Sequence, residues 1–231
     1  MIGIIADIHG NATALEAVLE SAAKVGVSEL FVLGDLIGYY HEPRRTLELL
    51  SSWRCSLVQG NHEAMLKKAA HDGKFLADVT AKYGSGLALA LQTLDAAQIE
   101  VLQNAPARLL LERNGRTFLL CHGSPKDPNA YVYPDATEEL LDRNMEESPD
   151  FILMGHTHYA MCVVRKGTLL LNPGSVGQPR DQAGLASWAT VDPSNGVIVL
   201  RRTPFDITPV CALAAQWDPA NTKLVGILKT T

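Results

Sequence analysis

The chain has 231 residues, of which 47% are apolar and 19% charged, and its formal net charge is -5. This balance excludes a disordered chain, and the acidic charge argues against a broad nucleic-acid or anionic-membrane surface. No stretch approaches the roughly 20 apolar residues that span a bilayer, and the first residues contain neither a basic leader nor a cleavage site. We therefore expect a cytoplasmic protein. Its four scattered cysteines form no CxxC pair and are expected to be reduced and buried.

Three successive strand–loop–helix units are predicted in the first part of the chain. A β-branched apolar run at 2–6 precedes a helix with amphipathic spacing at 12–24. A strand at 30–33 precedes a helix at 44–51, and a strand at 55–58 leads into another helix that opens in the sequence QGNHEAML. Units of this kind predict a parallel sheet with helices packed on its faces.

The remaining chain separates into a helical segment and a hairpin-rich half. Between residues 63 and 103 apolar residues recur at helical spacing, so we expect a helical insertion at about 64–104 within a single domain of residues 1–231. The turn sequences RNGR and DPSNG then join pairs of strands. Strands are predicted at 109–112, 117–121, 151–154, 161–164, 168–171, 187–191 and 197–201.

Side chains that can bind metal follow five of the predicted strands. Ligands of open α/β sheets bind beyond the carboxyl ends of strands, so these loops can converge on one crevice. Glycines beside each group permit tight turns and close backbone approach. The candidates are Asp7 and His9 after the first strand, Asp35 after the second, Asn61 and His62 after the third, His122 after the hairpin strand, and His156 and His158 after residue 154.

Each candidate alone has a simpler explanation. A lone histidine is usually packed or hydrogen-bonded, a single aspartate commonly caps a helix, and an asparagine commonly occupies a turn. Recurrence at five strand–loop junctions favours a joint metal site instead. A nitrogen and oxygen ligand set without thiolate suits manganese, iron, cobalt, nickel or zinc. Two such ions, roughly 3.5 to 4 Å apart and bridged by Asp35, can polarise a phosphate and activate a water molecule.

The same residues lie in motifs that resemble a known family. The segments ADIHGN, LGDLIGYY, QGNHE, CHGSP, MGHTH and LNPGSVGQPRD occur in that order from residue 6 to residue 181. Together they are similar to the calcineurin-like metallophosphoesterase superfamily and, within it, to small phosphodiesterases of the YfcE type. The resemblance implies an α/β fold, a four-layer αββα sandwich of two mixed β-sheets flanked by helices. It also implies an enzyme that hydrolyses a phosphodiester or phosphomonoester of a small molecule with a metal-activated water.

The resemblance also implies a role for each metal-site residue. His62 is similar to the histidine that protonates the leaving oxygen or stabilises the transition state; the alternative is a helix-entry histidine bonded to Glu63 or another acid. The cofactor is expected to be two divalent ions, manganese first, with nickel, iron, cobalt or zinc as alternatives. The implied ligands are Asp7, His9 and His158 for one metal, Asn61, His122 and His156 for the other, and Asp35 as the bridge.

Two residues outside the metal motifs are candidate substrate contacts. Asn11 can hydrogen-bond a substrate oxygen, with a structural turn role as the alternative. Arg180, or Arg44, can contact a phosphate, although a solvated surface charge explains either residue equally simply. Protein phosphatases and diadenosine tetraphosphatases of the superfamily carry an arginine before GNHE, whereas this chain has Gln59. That departure weakens the case for a phosphoprotein substrate.

Other functions remain open at this point. A binding or scaffold protein can keep the fold and lose catalysis, as a retromer subunit of the superfamily has done. A hydrolase of the protein phosphatase or diadenosine tetraphosphatase kind is a second alternative. A nuclease is disfavoured because no basic stripe interleaved with aromatics occurs in the sequence. A homo-oligomer is compatible with the sequence.

Overall fold

The computed structural model describes residues 1–145 and 149–229, in which two five-stranded sheets form the centre of the fold. In the first sheet, β1, β2 and β3 are parallel, and β9 runs antiparallel to both β1 and β10. Its strands, from one edge to the other, are β10 (Ile198–Pro204), β9 (Leu185–Val191), β1 (Ile2–Ile5), β2 (Glu29–Val32) and β3 (Cys55–Leu57).

The second sheet is also mixed. Its three inner strands are parallel to one another, and each edge strand is antiparallel to its neighbour. The strands, in spatial order, are β4 (Arg108–Arg113), β5 (Arg116–Cys121), β6 (Phe151–Leu153), β8 (Thr168–Pro173) and β7 (Ala160–Arg165). Edge strand β4 alternates exposed and half-buried residues, whereas β6 is buried throughout because it is an inner strand covered on both faces.

Helices cover the outer faces of both sheets. Helices α1 (Ala12–Lys24) and α2 (Pro43–Ser51) pack on the first sheet, and α7 (Glu138–Arg143) packs on the second. Between β3 and β4 the chain forms α3 (Asn61–Ala69), α4 (Gly73–Tyr83), α5 (Gly86–Thr93) and α6 (Ala96–Asn104). After β10 come α8 (Thr208–Trp217) and α9 (Lys223–Lys229).

The two sheets pack face to face over an apolar core. Ile4 and Phe31 of the first sheet belong to the same buried cluster as Phe118 and Leu120 of the second. The rings of Phe31 and Phe118 meet edge to face, with centroids 5.6 Å apart, a favoured aromatic geometry. Helices outside and two sheets inside give the four-layer sandwich, so the predicted fold class is confirmed.

The carboxyl ends of the parallel strands meet at one edge of this sandwich. Strands β1, β2 and β3 end there in the first sheet, and β5 and β6 end there in the second. Each of these five strands is followed by one of the predicted metal-binding loops. The topology therefore brings together residues that are up to 151 positions apart in sequence, from Asp7 to His158.

The last two helices are tied to the loops around this edge. The Oδ2 atom of Asp218 accepts hydrogen bonds from His41 Nε2 at 2.7 Å, from Ser85 N at 2.8 Å and from Ser85 Oγ at 2.9 Å. The hydroxyl of Tyr40 donates to Leu224 O at 3.2 Å. The Asp218 bonds hold the end of α8 against His41 and the junction of α4 and α5, and the Tyr40 bond holds α9 against the loop after β2.

The cysteines are less buried than the sequence predicted. No disulfide joins the four cysteines, all of which lie in the described residues, but burial holds only for Cys121; Cys211 is half-buried, and Cys55 and Cys162 are exposed. Cys55 begins edge strand β3 and Cys162 lies on edge strand β7, and neither edge is covered by a further strand in the described part of the chain. Among those same residues, no helix has the length and apolar character needed to cross a membrane.

Candidate metal centre

The predicted loops converge on one buried cluster of polar side chains. Nitrogen and carboxylate oxygen atoms within 4.8 Å of one another form three overlapping groups. Six of the seven proposed metal ligands are buried, and Asn61, which opens α3, is half-buried. The groups are Asp7 with His9 and His158, His9 with Asp35 and His62, and Asp35 with His122 and His156.

Backbone carbonyl groups orient three of the histidine rings. In each, Nδ1 lies within hydrogen-bond distance of a main-chain oxygen, which assigns the proton to Nδ1 and leaves the lone pair on Nε2. This is the arrangement in which proteins hold a metal-binding imidazole. The bonds join His9 to Ile37 O at 3.2 Å, His122 to Leu33 O at 2.7 Å and His158 to Gln178 O at 2.9 Å.

The free nitrogen atoms of these rings point at one another. His9 Nε2 lies 3.1 Å from His158 Nε2, and His122 Nε2 lies 3.1 Å from His156 Nδ1 and 3.0 Å from Asn61 Oδ1. His122 can donate from Nε2 when it is protonated, whereas the Nε2 atoms of His9 and His158, whose protons lie on Nδ1, face each other as acceptors. A cation shared between the atoms would turn this repulsion into coordination, so the side chains present fit divalent metal ions.

Asp35 occupies the centre of the cluster. Its Oδ2 atom lies 3.3 Å from His122 Nε2 and 3.8 Å from His9 Nε2, the two histidines that belong to opposite halves of the site. Its Oδ1 atom accepts a hydrogen bond from His62 N at 2.9 Å. Burial raises the pKa of Asp35, but the charges of His122 and His62 outweigh it and hold that pKa well below its usual range. One carboxylate therefore faces both sets of ligands.

Burial and neighbouring charges shift the pKa values of the clustered side chains in different directions. Burial raises the pKa of Asp7 to about 8 and lowers the pKa of His156 to about 4. Burial also lowers the pKa of His122, but the Asp35 and Asp7 carboxylates outweigh it and raise that pKa to about 10. Without bound cations, a proton on His122 offsets the Asp35 carboxylate; cations bound in the cluster would supply that positive charge instead and leave the Nε2 lone pair of His122 free to bind them.

The backbone is strained at most of the proposed ligands. Seven described residues other than glycine have positive φ angles, and five of these are proposed metal ligands. Side chains with a Cβ atom adopt this region only where the surrounding structure enforces it, and such residues concentrate at functional sites. The five are Asp7, His9 and Asp35 with φ of 54°, His156 with φ of 70° and His158 with φ of 65°.

Glu63 anchors the loop that carries Asp35, a role that the sequence analysis missed. Its buried carboxylate accepts hydrogen bonds from the backbone N atoms of Gly60 and Asp35 at 2.8 Å through Oε2, and from Leu36 at 2.8 Å and Ile37 at 3.4 Å through Oε1. Burial raises the pKa of Glu63 to about 7. The capping-box position of a glutamate at N3 of α3 is the sequence signal that indicates this role.

His62 lies at the rim of the cluster beneath two tyrosines. Its Nε2 atom is 3.9 Å from Asp35 Oδ2, and its ring centroid is 5.2 Å from that of Tyr39 and 5.1 Å from that of Tyr83. No described residue bonds to its buried Nδ1 atom, and Asp35, the acid that its Nε2 atom faces, lies beyond hydrogen-bond distance, so the alternative of a side-chain bond to Glu63 or another acid is not formed among the described residues. A Cβ atom at Gly38, whose φ is 138°, would overlap this Nδ1, so the ring depends on glycine there.

The two candidate substrate contacts lie in different surroundings. Asn11 is fully buried, its Oδ1 atom caps α1 through Ala14 N at 3.0 Å and its Nδ2 atom donates to Gly177 O at 2.8 Å. Its amide is thus committed to the structural turn role. Arg180 is half-buried and donates to Gln178 Oε1 at 3.3 Å. Burial lowers the pKa of His158, and the positive charge of Arg180 lowers it further. The Arg180 side chain therefore lies close to the cluster.

Gln59, which stands where some members of the superfamily carry an arginine, has a structural role. Its Nε2 atom donates to Leu102 O at 3.3 Å and to Gln103 O at 3.0 Å, and its backbone N donates to Pro106 O at 2.8 Å. The side chain therefore ties the end of α6 to the loop before α3. It is therefore not available to bind a phosphate.

Comparisons with known proteins agree with this geometry. A profile of the calcineurin-like phosphoesterase superfamily domain matches residues 1–196. An uncharacterized protein of Methanocaldococcus jannaschii is 32% identical over 227 residues, which covers 90% of this chain and 88% of that protein. A hypothetical protein from Pyrococcus horikoshii superposes with a TM-score of 0.86 at 20% identity, over 99% of this chain and 98% of the other. A metallophosphoesterase from Sphaerobacter thermophilus superposes with a TM-score of 0.78 at 26% identity, over 98% of both chains. The chain belongs to the calcineurin-like phosphoesterase superfamily, as its motifs predicted.

Proposed function

We propose that this protein is a phosphoesterase that uses two divalent metal ions to hydrolyse a phosphodiester, or a phosphomonoester, of a small molecule. One observation supports the proposal most strongly: three buried histidines, each fixed by a backbone carbonyl, direct their Nε2 atoms toward two buried carboxylates. Manganese is the first candidate ion, with nickel, iron, cobalt and zinc as alternatives, because the ligand set combines imidazole and carboxylate without thiolate.

The proposed ligands divide into two sets around Asp35. Asp7, His9 and His158 would hold one ion, and Asn61, His122 and His156 would hold the other. The ions would supply Lewis-acid polarisation of the phosphate and a nucleophilic water near neutral pH. The buried, preformed ligand cluster fixes the electrostatic field before substrate arrives, so little reorganisation accompanies the reaction.

His62 is proposed to act on the leaving group. Its Nε2 atom faces the centre of the cluster, where it can donate a proton to the leaving oxygen or a hydrogen bond to a phosphoryl oxygen. Burial lowers the pKa of His62, so the ring tends to be neutral before substrate arrives. The approach of a negatively charged phosphate would raise its affinity for a proton.

Arg180 is proposed to hold the substrate phosphate from outside the ligand cluster. It lies in a cleft of about 520 Å³ that Tyr133 and Tyr159 also line, and its charge acts on His158 and Tyr39. A guanidinium group can bind two phosphoryl oxygens at once. Asn11 is not part of this proposal because both ends of its amide are already bonded.

The cysteines and the net charge support the compartment and the class of substrate that we expect. Cysteines without disulfides, one of them the exposed Cys55, suit a reducing compartment, and we propose that the enzyme acts in the cytoplasm. The negative net charge of the chain supports a small-molecule substrate over nucleic acid.

Hydrolysis assays test the proposal and separate it from the scaffold alternative. The protein is stripped with a chelator, reloaded with manganese, nickel or zinc, and assayed with bis-p-nitrophenyl phosphate and p-nitrophenyl phosphate. We expect metal-restorable cleavage, with the ratio of diester to monoester rates giving the substrate class. The His62→Ala variant should retain metal and lose roughly a hundredfold or more in turnover. Metal binding without cleavage of either ester would reject the enzyme and favour the scaffold.

A further inference from the structure

A cleft with aromatic walls opens directly beside the candidate metal centre. Its volume is about 370 Å³, within the range of small-molecule sites. Helices α3 and α4 form one side, and the loop between β5 and α7 forms the other. We call it the tyrosine cleft, and it is bounded by Asn61, Lys68, Phe75, Tyr83, Tyr131 and His156.

The tyrosine cleft is continuous with the metal centre. Two of its lining residues, Asn61 and His156, are proposed ligands of the same metal ion. The ring of Tyr131 lies 4.1 Å from the ring of His156, centroid to centroid, and Tyr83 lies 5.1 Å from His62. A phosphoryl group bound at the metal centre would therefore direct one of its ester groups into this cleft.

The walls of the cleft present aromatic faces. Tyr131 is 52% exposed, although it is a large aromatic residue beside a buried polar site. Its ring is stacked on that of Tyr133, with centroids 5.8 Å apart and planes inclined by 15°. On the other side, the amino group of Lys68 lies 4.2 Å from the centre of the Phe75 ring. These contacts hold the rings in place before a ligand binds.

From these contacts we propose that the tyrosine cleft is a subsite for one ester group of the substrate, and that it selects a planar aromatic group. The inference rests on the proposed function, because it names the class of phosphate ester that the metal centre would receive. Planar rings gain offset stacking or edge-to-face contact with Tyr83 and Tyr131. A saturated ring of the same size fills the cleft equally but gains neither contact.

A matched pair of ligands isolates this contribution. Phenylphosphonate and cyclohexylphosphonate have the same phosphonyl group and six-carbon rings, one planar and one puckered, and their phosphorus–carbon bonds resist hydrolysis. Binding of each to the manganese-loaded protein is measured by calorimetric titration. We expect phenylphosphonate to bind roughly fivefold more tightly. The Tyr131→Leu variant should reduce this preference, because one of the two tyrosine contacts is lost, and Tyr131→Phe should retain it in full.

The outcomes separate this inference from the proposed function. The titration measures binding, so a protein that prefers phenylphosphonate but hydrolyses no ester would refute the enzyme and leave the subsite standing. Hydrolysis accompanied by equal affinities for the two phosphonates would refute the subsite alone. A preference that Tyr131→Leu leaves undiminished, or no binding of either phosphonate, would likewise overturn it. Tyr131 is half exposed, so neither variant should impair folding.

Discussion

Glu63 provides a sensitive test of how the metal centre is supported. The Glu63→Gln substitution replaces one carboxylate oxygen with an amide NH₂ group. Two buried backbone N–H groups bond to each oxygen, so two lose their acceptor whichever oxygen is replaced. Each unsatisfied buried donor costs about 1 to 3 kcal/mol, so we expect the free energy of unfolding to fall by about 2 to 5 kcal/mol. That is a large fraction of the total stability of about 5 to 15 kcal/mol typical of a domain.

Urea unfolding at pH 8.5 measures this loss, because burial raises the pKa of Glu63 to about 7 and the carboxylate is ionised there. The loosened Asp35 loop should also weaken manganese binding by roughly 10- to 100-fold in a calorimetric titration. Glu48→Gln is the matched control: within residues 1–145 and 149–229 its exposed side chain bonds only to Arg44, and the effect should stay within about 0.5 kcal/mol. A Glu63→Gln protein with the stability and metal affinity of the wild type would refute the reasoning.

Three further changes test other parts of the structure. Gly38→Ala should displace the His62 ring and reduce turnover roughly a hundredfold with metal content unchanged; normal hydrolysis would contradict the proposed role of that ring. Asp218→Ala removes the three hydrogen bonds that hold the end of α8 and should lower the free energy of unfolding by about 2 kcal/mol, measured in urea. The hydrogen bond from Arg113 lowers the folded-state pKa of Glu29 below 4.5. The contribution of this ion pair to the free energy of unfolding is therefore present above pH 4.5 and is lost as the pH falls through the folded-state pKa. Glu29→Gln should therefore cost about 1 kcal/mol at pH 7, and the difference should shrink as the pH falls below 4.5 in urea titrations; a constant difference would exclude this ion pair as the cause.

Much of the fold was predictable because its signals are local. The first three βα units follow from apolar runs and helical spacing, and the hairpin at Asn114 follows from its Asn–Gly turn. The C-terminal helices α8 and α9 were not predicted. Their few buried residues, such as Val210 and Leu224, pack on the distant Tyr40, so tertiary contacts rather than a strong amphipathic pattern stabilise them.

The candidate site, too, was predictable where its signals are local and was not predictable where it depends on tertiary contacts. The ligand-capable residues could be found because each follows a strand, and topology alone brings strand ends together. The supporting interactions could not, since the bonds of His122 to Leu33 and of Glu63 to the Asp35 loop join residues far apart in sequence. The tyrosine cleft likewise combines Tyr83 from α4 with Tyr131 from a loop, and no local pattern marks either as a partner of the other.

The central claim is that the converging loops form a site for two metal ions, and metal stoichiometry tests it most directly. Wild-type protein and the Asp35→Ala variant are stripped, dialysed against manganese and then against metal-free buffer, and analysed for metal per chain. We predict about two ions per wild-type chain and loss of bound metal in the variant, because Asp35 faces both ligand sets. Wild-type protein that retains no metal, or a variant that retains as much as the wild type, would contradict the account.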